Sequence, residues 1–428
     1  MKYSETCFCD VFVIGMGMAG MAAALFAANR GLTVAQAGLT GEIPFSSGLM
    51  DLLGVHPVEN SRTWEDPWAG IETLRKDIPS HPYGLLSRTE IESALADVFS
   101  FLDEQGLLYT KEKEQNVEMI MPTGMIKQTY AVPSSMWNGV MALKAKTPSL
   151  LVDFHGITEF SARQMAEVMR ETWPGLRSAR IPFPGKNNQG VLTGEILASD
   201  MESRRNREEL ANTVRPLIQD ARFVGFPAVF GMRRTAEILA ELQQEMGIPI
   251  FEIPTFPVSI PGLRLNDAFA RGLSRKGVRR FTQCRVLCLQ QEEERGFLLR
   301  IGREGRECVV RAEGVVLATG RFWGRGLVAD RDRIREPLLD LPVHQPHGRE
   351  HWHRNDFLDL RGHPVNRAGL EIDHLFRPLD RAGGPAFDRL FAAGSILAHQ
   401  DWMRMKCGSG LAIGSAYGAV KGFMKTVR

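Results

Sequence analysis

Apolar and polar residues along this chain follow first one rhythm and then another. At the start, a short unbroken apolar run at 10–14 leads into a glycine-rich turn at 15–20, a helix-favouring stretch at 21–29, and a second apolar run at 32–35. This succession predicts strand, turn, helix and strand, a βαβ unit. By length alone, the uncharged stretch 11–28 would suggest a membrane span or a signal peptide. Three glycines interrupt it, and Glu5 and Asp10 stand where a signal peptide would carry basic residues, so neither reading is adopted.

Between 40 and 145 the rhythm is broken by Pro44, Gly48, Pro57, Pro82, Pro122 and Pro133, with short helical stretches such as 90–104. Long loops over a ligand are expected here. From 149 the pattern becomes regular, with apolar runs at 150–154 and 223–230 and helical patterns at 160–171, 198–219 and 233–246. That alternation predicts an inserted α/β domain closing near 254. A helix at 263–275 follows, then alternating strands at 279–289, 296–302 and 307–311 that form a β-meander into the buried strand 314–320. The chain ends in a short strand at 389–394 and a glycine-rich helix through 420. The fold class expected is α/β, with a second α/β domain inserted. Its segments are 1–148, the insertion 149–254, and 255–428.

Composition narrows the function classes. At 428 residues the chain supports two or three packed units, at about 100–200 residues per domain. Lysine and arginine total 52 against 50 acidic residues, so global charge gives no case for nucleic acid as a partner. Arginines cluster at Arg321, Arg325, Arg331, Arg333 and Arg335, which reads either as an anion site or as a solvated basic face. Six cysteines, too few for a disulfide scaffold in a chain of this size, fit reduced thiols and a cytoplasmic setting. No spacing of His or Cys marks a closed zinc or iron–sulfur site, and no metal is expected.

The spacing Gly15-x-Gly17-x-x-Gly20 between a strand and a helix carries the chemistry. The first glycine permits a tight turn, the second lets backbone approach a phosphate, and the third lets helix pack on strand, with the helix N-terminus facing the anion. A dinucleotide site usually adds Asp or Glu at the end of the second strand for the adenosine ribose. Ala35, Gln36 and Ala37 stand there instead, and Glu42 lies beyond a glycine turn. FMN needs no such clamp; alternatively Gln36 or a backbone group serves FAD. Two further elements accompany the turn: a buried strand ending in Thr319-Gly320, and Gly394-Ser395 followed by Gly408-Ser-Gly410, similar to the C-terminal flavin segment of two-dinucleotide-domain flavoproteins, so the α/β fold expected is of their FAD/NAD(P)-binding Rossmann-like type. Ser395 takes the place of the usual Asp there. Ser46, Ser47 and Gly48, in a loop that often wraps the flavin, offer hydroxyls and amides to a phosphate or ribityl chain. The histidines at 344, 347, 351, 353, 363 and 374 include possible proton carriers, but no catalytic base is singled out.

On three stretches the sequence resembles the B-subunit family of anaerobic glycerol-3-phosphate dehydrogenase. These are Phe45-Ser-Ser-Gly-Leu-Met-Asp-Leu-Leu53, Gly70-Ile-Glu-Thr-Leu-Arg75 with His81-Pro-Tyr83, and Ala318-Thr-Gly-Arg-Phe-Trp-Gly-Arg-Gly-Leu-Val-Ala-Asp330 running into Ile334-Arg-Glu-Pro337. The resemblance implies a cytoplasmic FMN carrier beside an FAD-bearing A-subunit, which oxidises glycerol 3-phosphate. An iron–sulfur C-subunit would tie the assembly peripherally to the membrane and to quinone. Two alternatives stand beside it: an autonomous FAD oxidoreductase of a small organic acid or amine, and a cofactor-free flavin-fold protein serving assembly.

Overall fold

A computed structural model describes residues 4–186, 190–292, 296–303 and 306–427. The chain divides into two compact units, one formed by 1–42, 51–101 and 269–428, the other by 43–50 and 102–268. The expected insertion 149–254 lies wholly within the second unit, which reaches further in both directions.

The first unit is built on a sheet that has seven strands among the described residues. Ser4–Ile14 lies at its centre, with Val34–Gly38 on one side and Arg306–Leu317 on the other, both parallel to it. Phe12 pairs with Ala35 across one boundary and with Val315 across the other. Residues 11–13 are fully buried. A strand covered on both faces needs a continuous apolar run rather than an alternating one, which is why this stretch lacks polar positions. The helix Met18–Asn29 is apolar around its circumference and buried from Ala19 to Ala27. It packs beside Gly408–Thr426, with Phe26 meeting Tyr417 edge to face. The uncharged run 11–28 is therefore strand, turn and buried helix, and among the described residues no helix is long and apolar enough to cross a membrane.

The expected strand 279–289 is two strands. Arg279–Thr282 joins Val34–Gly38 in parallel at one edge of the sheet, whereas Arg285–Gln291 enters the antiparallel meander with Phe297–Arg303 at the other. Gln283, between them, adopts a left-handed φ of 57°, which ends the extended path, and its amide donates to Thr40 Oγ1. Leu390–Ala392 completes the sheet in parallel beside Val315–Leu317. The loops expected over 40–145 contain more regular structure than their prolines suggested. Pro67 opens the helix Pro67–Asp77 instead of breaking it, because Asp66 caps that helix by accepting from Trp68 N and Ala69 N.

The second unit holds a four-stranded parallel sheet in the order Ile250–Ile253, Phe223–Pro227, Ser149–Phe154, Leu176–Ile181. Buried within this unit is an ion pair, in which Arg264 donates to both oxygens of Glu252 at 2.6 and 2.9 Å and to Gly231 O at 2.9 Å. Phe230 N also donates to Glu252 Oε1. The single charged helix expected over 198–219 is divided into Gly194–Asp200 and Arg204–Val214.

Candidate functional site

Each glycine of the first turn answers a different demand. Gly15 has φ +130°, and a Cβ there would stand 2.0 Å from Ala318 O. Its amide donates to Ala37 O at 2.8 Å, while Ala318 N donates to Ile14 O at 2.8 Å, so the turn is wedged between the ends of both neighbouring strands. A Cβ on Gly20 would stand 2.2 Å from Gly15 O. The protein's own packing thus requires both residues. Gly17 differs: its φ is −79°, and a Cβ would meet nothing within 4 Å. Packing does not call for glycine at this position. Gly17 is the N-cap of Met18–Asn29, with no side-chain cap and no acidic residue in the first turn, so the helix end faces open space with its positive dipole uncompensated. An anion such as a phosphate is favoured at that helix end by charge.

Gln36 is fully buried, and its Nε2 donates to Gly15 O at 2.8 Å. It braces the turn from behind. The second strand ends at Gly38, where a Cβ would lie 3.2 Å from both Met16 Cγ and Met16 N. Met16 therefore packs closely against the end of the second strand. Beyond it, Gly41 folds back so that a Cβ would meet Met16 O at 2.5 Å. Burial raises the pKa of the Glu42 carboxyl, against the opposing pull of the Arg321 charge.

The later elements converge on this turn. A Cβ on Gly394, at φ +81°, would stand 2.6 Å from the Cβ of Ala19 in the first turn of the helix. Gly394 N donates to Ser415 Oγ at 2.8 Å, and Ser415 is itself fully buried on Gly408–Thr426. A Cβ on Gly320, at φ +69°, would lie 3.7 Å from Ser395 Oγ. Thr319 Oγ1 is buried without a hydrogen-bond partner, as is Arg321 Nε. Arg321 otherwise donates to the carbonyls of Asn366 and Gln400, and burial pulls its pKa down to about 10, so it stays charged at neutral pH. The segments 15–20, 319–321 and 394–395 thus adjoin one another within the first unit. Amides, a hydroxyl and a guanidinium there retain hydrogen-bonding capacity, which is what a polar, phosphate-bearing cofactor needs.

Gly408 and Gly410 serve close packing. A Cβ on Gly410 would meet Tyr83 Oη at 2.6 Å, and its amide donates to Asp51 O at 2.7 Å; a Cβ on Gly408 would press on the Trp402 ring at 3.0 Å. Tyr83 donates in turn to Leu52 O at 2.7 Å, and Arg75 Nε to Tyr83 O at 3.0 Å. Ser46, Ser47 and Gly48 belong to the second unit. There Ser46 Oγ donates to Ile43 O, Ser46 O accepts from Ser259 Oγ, and Gly48 O accepts from Tyr109. The clustered arginines, read either as an anion site or as a solvated basic face, are dispersed in role: Arg321 is half-buried, Arg325 is exposed, and Arg335 pairs with Asp330 at 2.5 Å.

Sequence reasoning did not single out Met16 or Ser415. A methionine in a buried helical or turn segment carries no marker of a cofactor boundary, and Ser415 matters only through a contact with Gly394 that topology creates.

Residues 10–411 match the family model described as FAD binding domain. The chain is 30% identical over 424 residues to the probable anaerobic glycerol-3-phosphate dehydrogenase B-subunit of Halobacterium salinarum, covering 96% of each chain. It belongs to the FAD binding domain family and to this B-subunit family. The corresponding B-subunit of Aliivibrio fischeri is 26% identical, with 98% of this chain and 96% of that one covered. A solved 3-ketosteroid delta1-dehydrogenase from Sterolibacterium denitrificans, 12% identical, aligns over 98% of this chain and 100% of that one with a TM-score of 0.45. Membership makes this B-subunit family protein a component of a flavin-dependent oxidoreductase, and the turn at Gly17 fits the phosphate end of a flavin nucleotide.

Proposed function

We propose that this chain is the FMN-carrying component of an anaerobic glycerol-3-phosphate dehydrogenase. It would take part in oxidising sn-glycerol 3-phosphate to dihydroxyacetone phosphate, beside an FAD-bearing A-subunit and an iron–sulfur, membrane-anchoring C-subunit that delivers electrons to quinone. The observation that carries the reading is the open helix N-terminus at Gly17, framed by two glycines that packing explains. FMN rather than FAD is supported by the strand Val34–Gly38, which carries no acidic residue to hold an adenosine ribose.

In this reading the amides following Gly17 bind the phosphate. Gln36 fixes the Gly15 carbonyl and so the angle of the turn, and Ser415 fixes Gly394. Gly15, Gly17, Gly20, Thr319, Gly320, Gly394 and Ser395 make up the cofactor cradle, with Gly408 and Gly410 setting the helix behind it. A bound flavin supplies the ability to accept two electrons together and release them singly. Oxidation of the substrate's secondary alcohol removes two electrons and two protons, and the electrons leave through the partner proteins. The complex would hold the protein peripherally at the cytoplasmic face of the membrane.

Acid release of the cofactor followed by chromatography tests the proposal: FMN is expected, and FAD would overturn this part of it. Glycerol 3-phosphate with a dye acceptor should be turned over only when the partner proteins are present. Turnover by the isolated chain would favour an autonomous oxidoreductase, and purified protein that neither carries nor takes up flavin would favour an assembly role.

A further inference from the structure

We propose that His344, Glu371 and His399 form a binding site for one divalent transition-metal ion of zinc-like chemistry. One ligand atom from each residue lies within 4.8 Å of the others. His399 Nε2 is 2.8 Å from Glu371 Oε1, His344 Nδ1 is 4.0 Å from the same oxygen, and the two imidazole centroids are 4.1 Å apart. Zinc bonds of about 2.0–2.2 Å to imidazole and carboxylate in tetrahedral geometry set neighbouring ligand atoms about 3.4 Å apart. The two separations found here straddle that value, so small side-chain rotations bring all three atoms onto one ion.

The backbone holds the ligands in this relation. His344 and Gly369 exchange hydrogen bonds of 2.8 and 3.0 Å. Leu370 N donates to Ile396 O at 2.8 Å, and Ala398 N to Leu370 O at 2.9 Å. Three chain segments therefore run side by side, each contributing one ligand. His399 has a φ of +64°, a conformation uncommon for a residue with a side chain, and its amide donates to Arg367 O. Such outliers gather where a side chain must be aimed at a ligand.

The chemistry of the set selects the ion. Two imidazoles and one carboxylate are the protein ligands of open zinc sites, in which water or another small ligand takes the fourth position. Nitrogen donors disfavour magnesium and calcium, which prefer oxygen shells. A bound ion would clip together the segments at 344, 371 and 399, the last of which follows closely on Ser395. The three residues are scattered along the chain with no recurring spacing, so no sequence pattern announces them.

The full-length protein, freed of metal by a chelator, is titrated with Zn2+ by calorimetry and with Co2+ by visible absorption. One saturable equivalent is expected, with a Co2+ d–d spectrum of low-coordinate nitrogen and oxygen ligation and a melting temperature that rises with Zn2+. Losing a group that merely supports a ligand costs 10–100-fold in affinity, so His344→Ala and His399→Asn should each weaken binding on the order of 100-fold. Asn accepts the left-handed backbone, and circular dichroism of the metal-free variants verifies their fold. His353→Ala, at an exposed histidine outside the cluster, should bind as the parent does. The absence of a saturable equivalent, or unchanged Zn2+ affinity in the folded double variant His344→Ala/His399→Asn, would overturn the proposal.

Discussion

Gln36 donates from Nε2 to the carbonyl of Gly15 at 2.8 Å, joining the middle of the second strand to the first residue of the glycine turn. The contact is buried, and the side chain has no route to solvent. Gln36→Leu would leave the Gly15 carbonyl without this partner at a cost of about 1–3 kcal/mol. The expected outcome is a stability loss of that size in urea unfolding, together with weaker flavin binding because the turn is no longer held at its angle. Unchanged stability would show that the carbonyl finds water or another donor.

Alanine substitutions in the turn should separate packing from ligand binding. Gly15→Ala and Gly20→Ala place a Cβ within 2.0 and 2.2 Å of backbone oxygens, so both should lower the melting temperature severely or prevent folding. Gly17→Ala meets only open space in the protein, so without flavin its melting temperature should fall only slightly, through the poorer N-cap that alanine makes. A methyl group directed at the phosphate should nevertheless weaken flavin affinity about tenfold or more. Flavin fluorescence titration and thermal unfolding of the three variants provide the check.

His81 should make the protein sensitive to acid. Its ring is fully buried, Nδ1 accepts from Tyr83 N at 3.1 Å, and Nε2 has no partner. Burial, reinforced by the charges of His56, His399 and Arg367, depresses its pKa from 6.5 to about 3. Between these values the unfolded chain binds a proton that the folded one refuses, so stability is complete above the unfolded pKa and declines as pH falls toward 3. Urea unfolding at about pH 7.5 and about pH 5 should show this decline, and His81→Asn, which can still accept from the amide two residues on, should reduce it.

The buried pair Glu252 and Arg264 should be costly to halve. Burial alone would raise the carboxyl's pKa, but the charge and hydrogen bonds of Arg264 bring it below the ordinary value. Arg264→Met strands a carboxylate in the core and should destabilise by about 3–5 kcal/mol, whereas Glu252→Leu/Arg264→Met should recover much of that loss. Denaturant midpoints of the single and double variants decide the point.

Cys9 and Cys407 should resist alkylation until the protein unfolds. Burial pushes the Cys9 thiol up to about 12 and raises Cys407 further, so neither presents thiolate at neutral pH. Labelling with iodoacetamide with and without urea, read by peptide mass, tests this. Rapid modification of Cys407 in the native protein would contradict its burial.

Much of the first unit could be read from the amino acids because its signals are local. The run Val11-Phe-Val-Ile14 needs no partner to read as a buried strand, and the glycine spacing after it is meaningful within one turn of chain. The division of 279–289 was not legible, since Gln283 is unremarkable in composition and only its left-handed backbone separates two strands that go to opposite edges. The regular structure within 40–145 was hidden for a comparable reason: whether a proline breaks or begins a helix depends on the cap before it, as at Pro67 behind Asp66. Within the site, the need for Gly15 and Gly20 was foreseeable. The bracing by Gln36 and Ser415 and the crowding of Gly38 by Met16 were not, because each is a contact between elements that only the assembled sheet brings near.

The strand Arg306–Leu317 lies directly against Ser4–Ile14. A ribosome releases the opening strand early, yet its neighbour emerges only after most of the polypeptide has been made. During synthesis that edge, with its apolar face, must wait unsatisfied, which invites mispairing with other nascent chains. Productive maturation of this protein should therefore lean on chaperones that shield the amino-terminal segment until translation has passed Leu317.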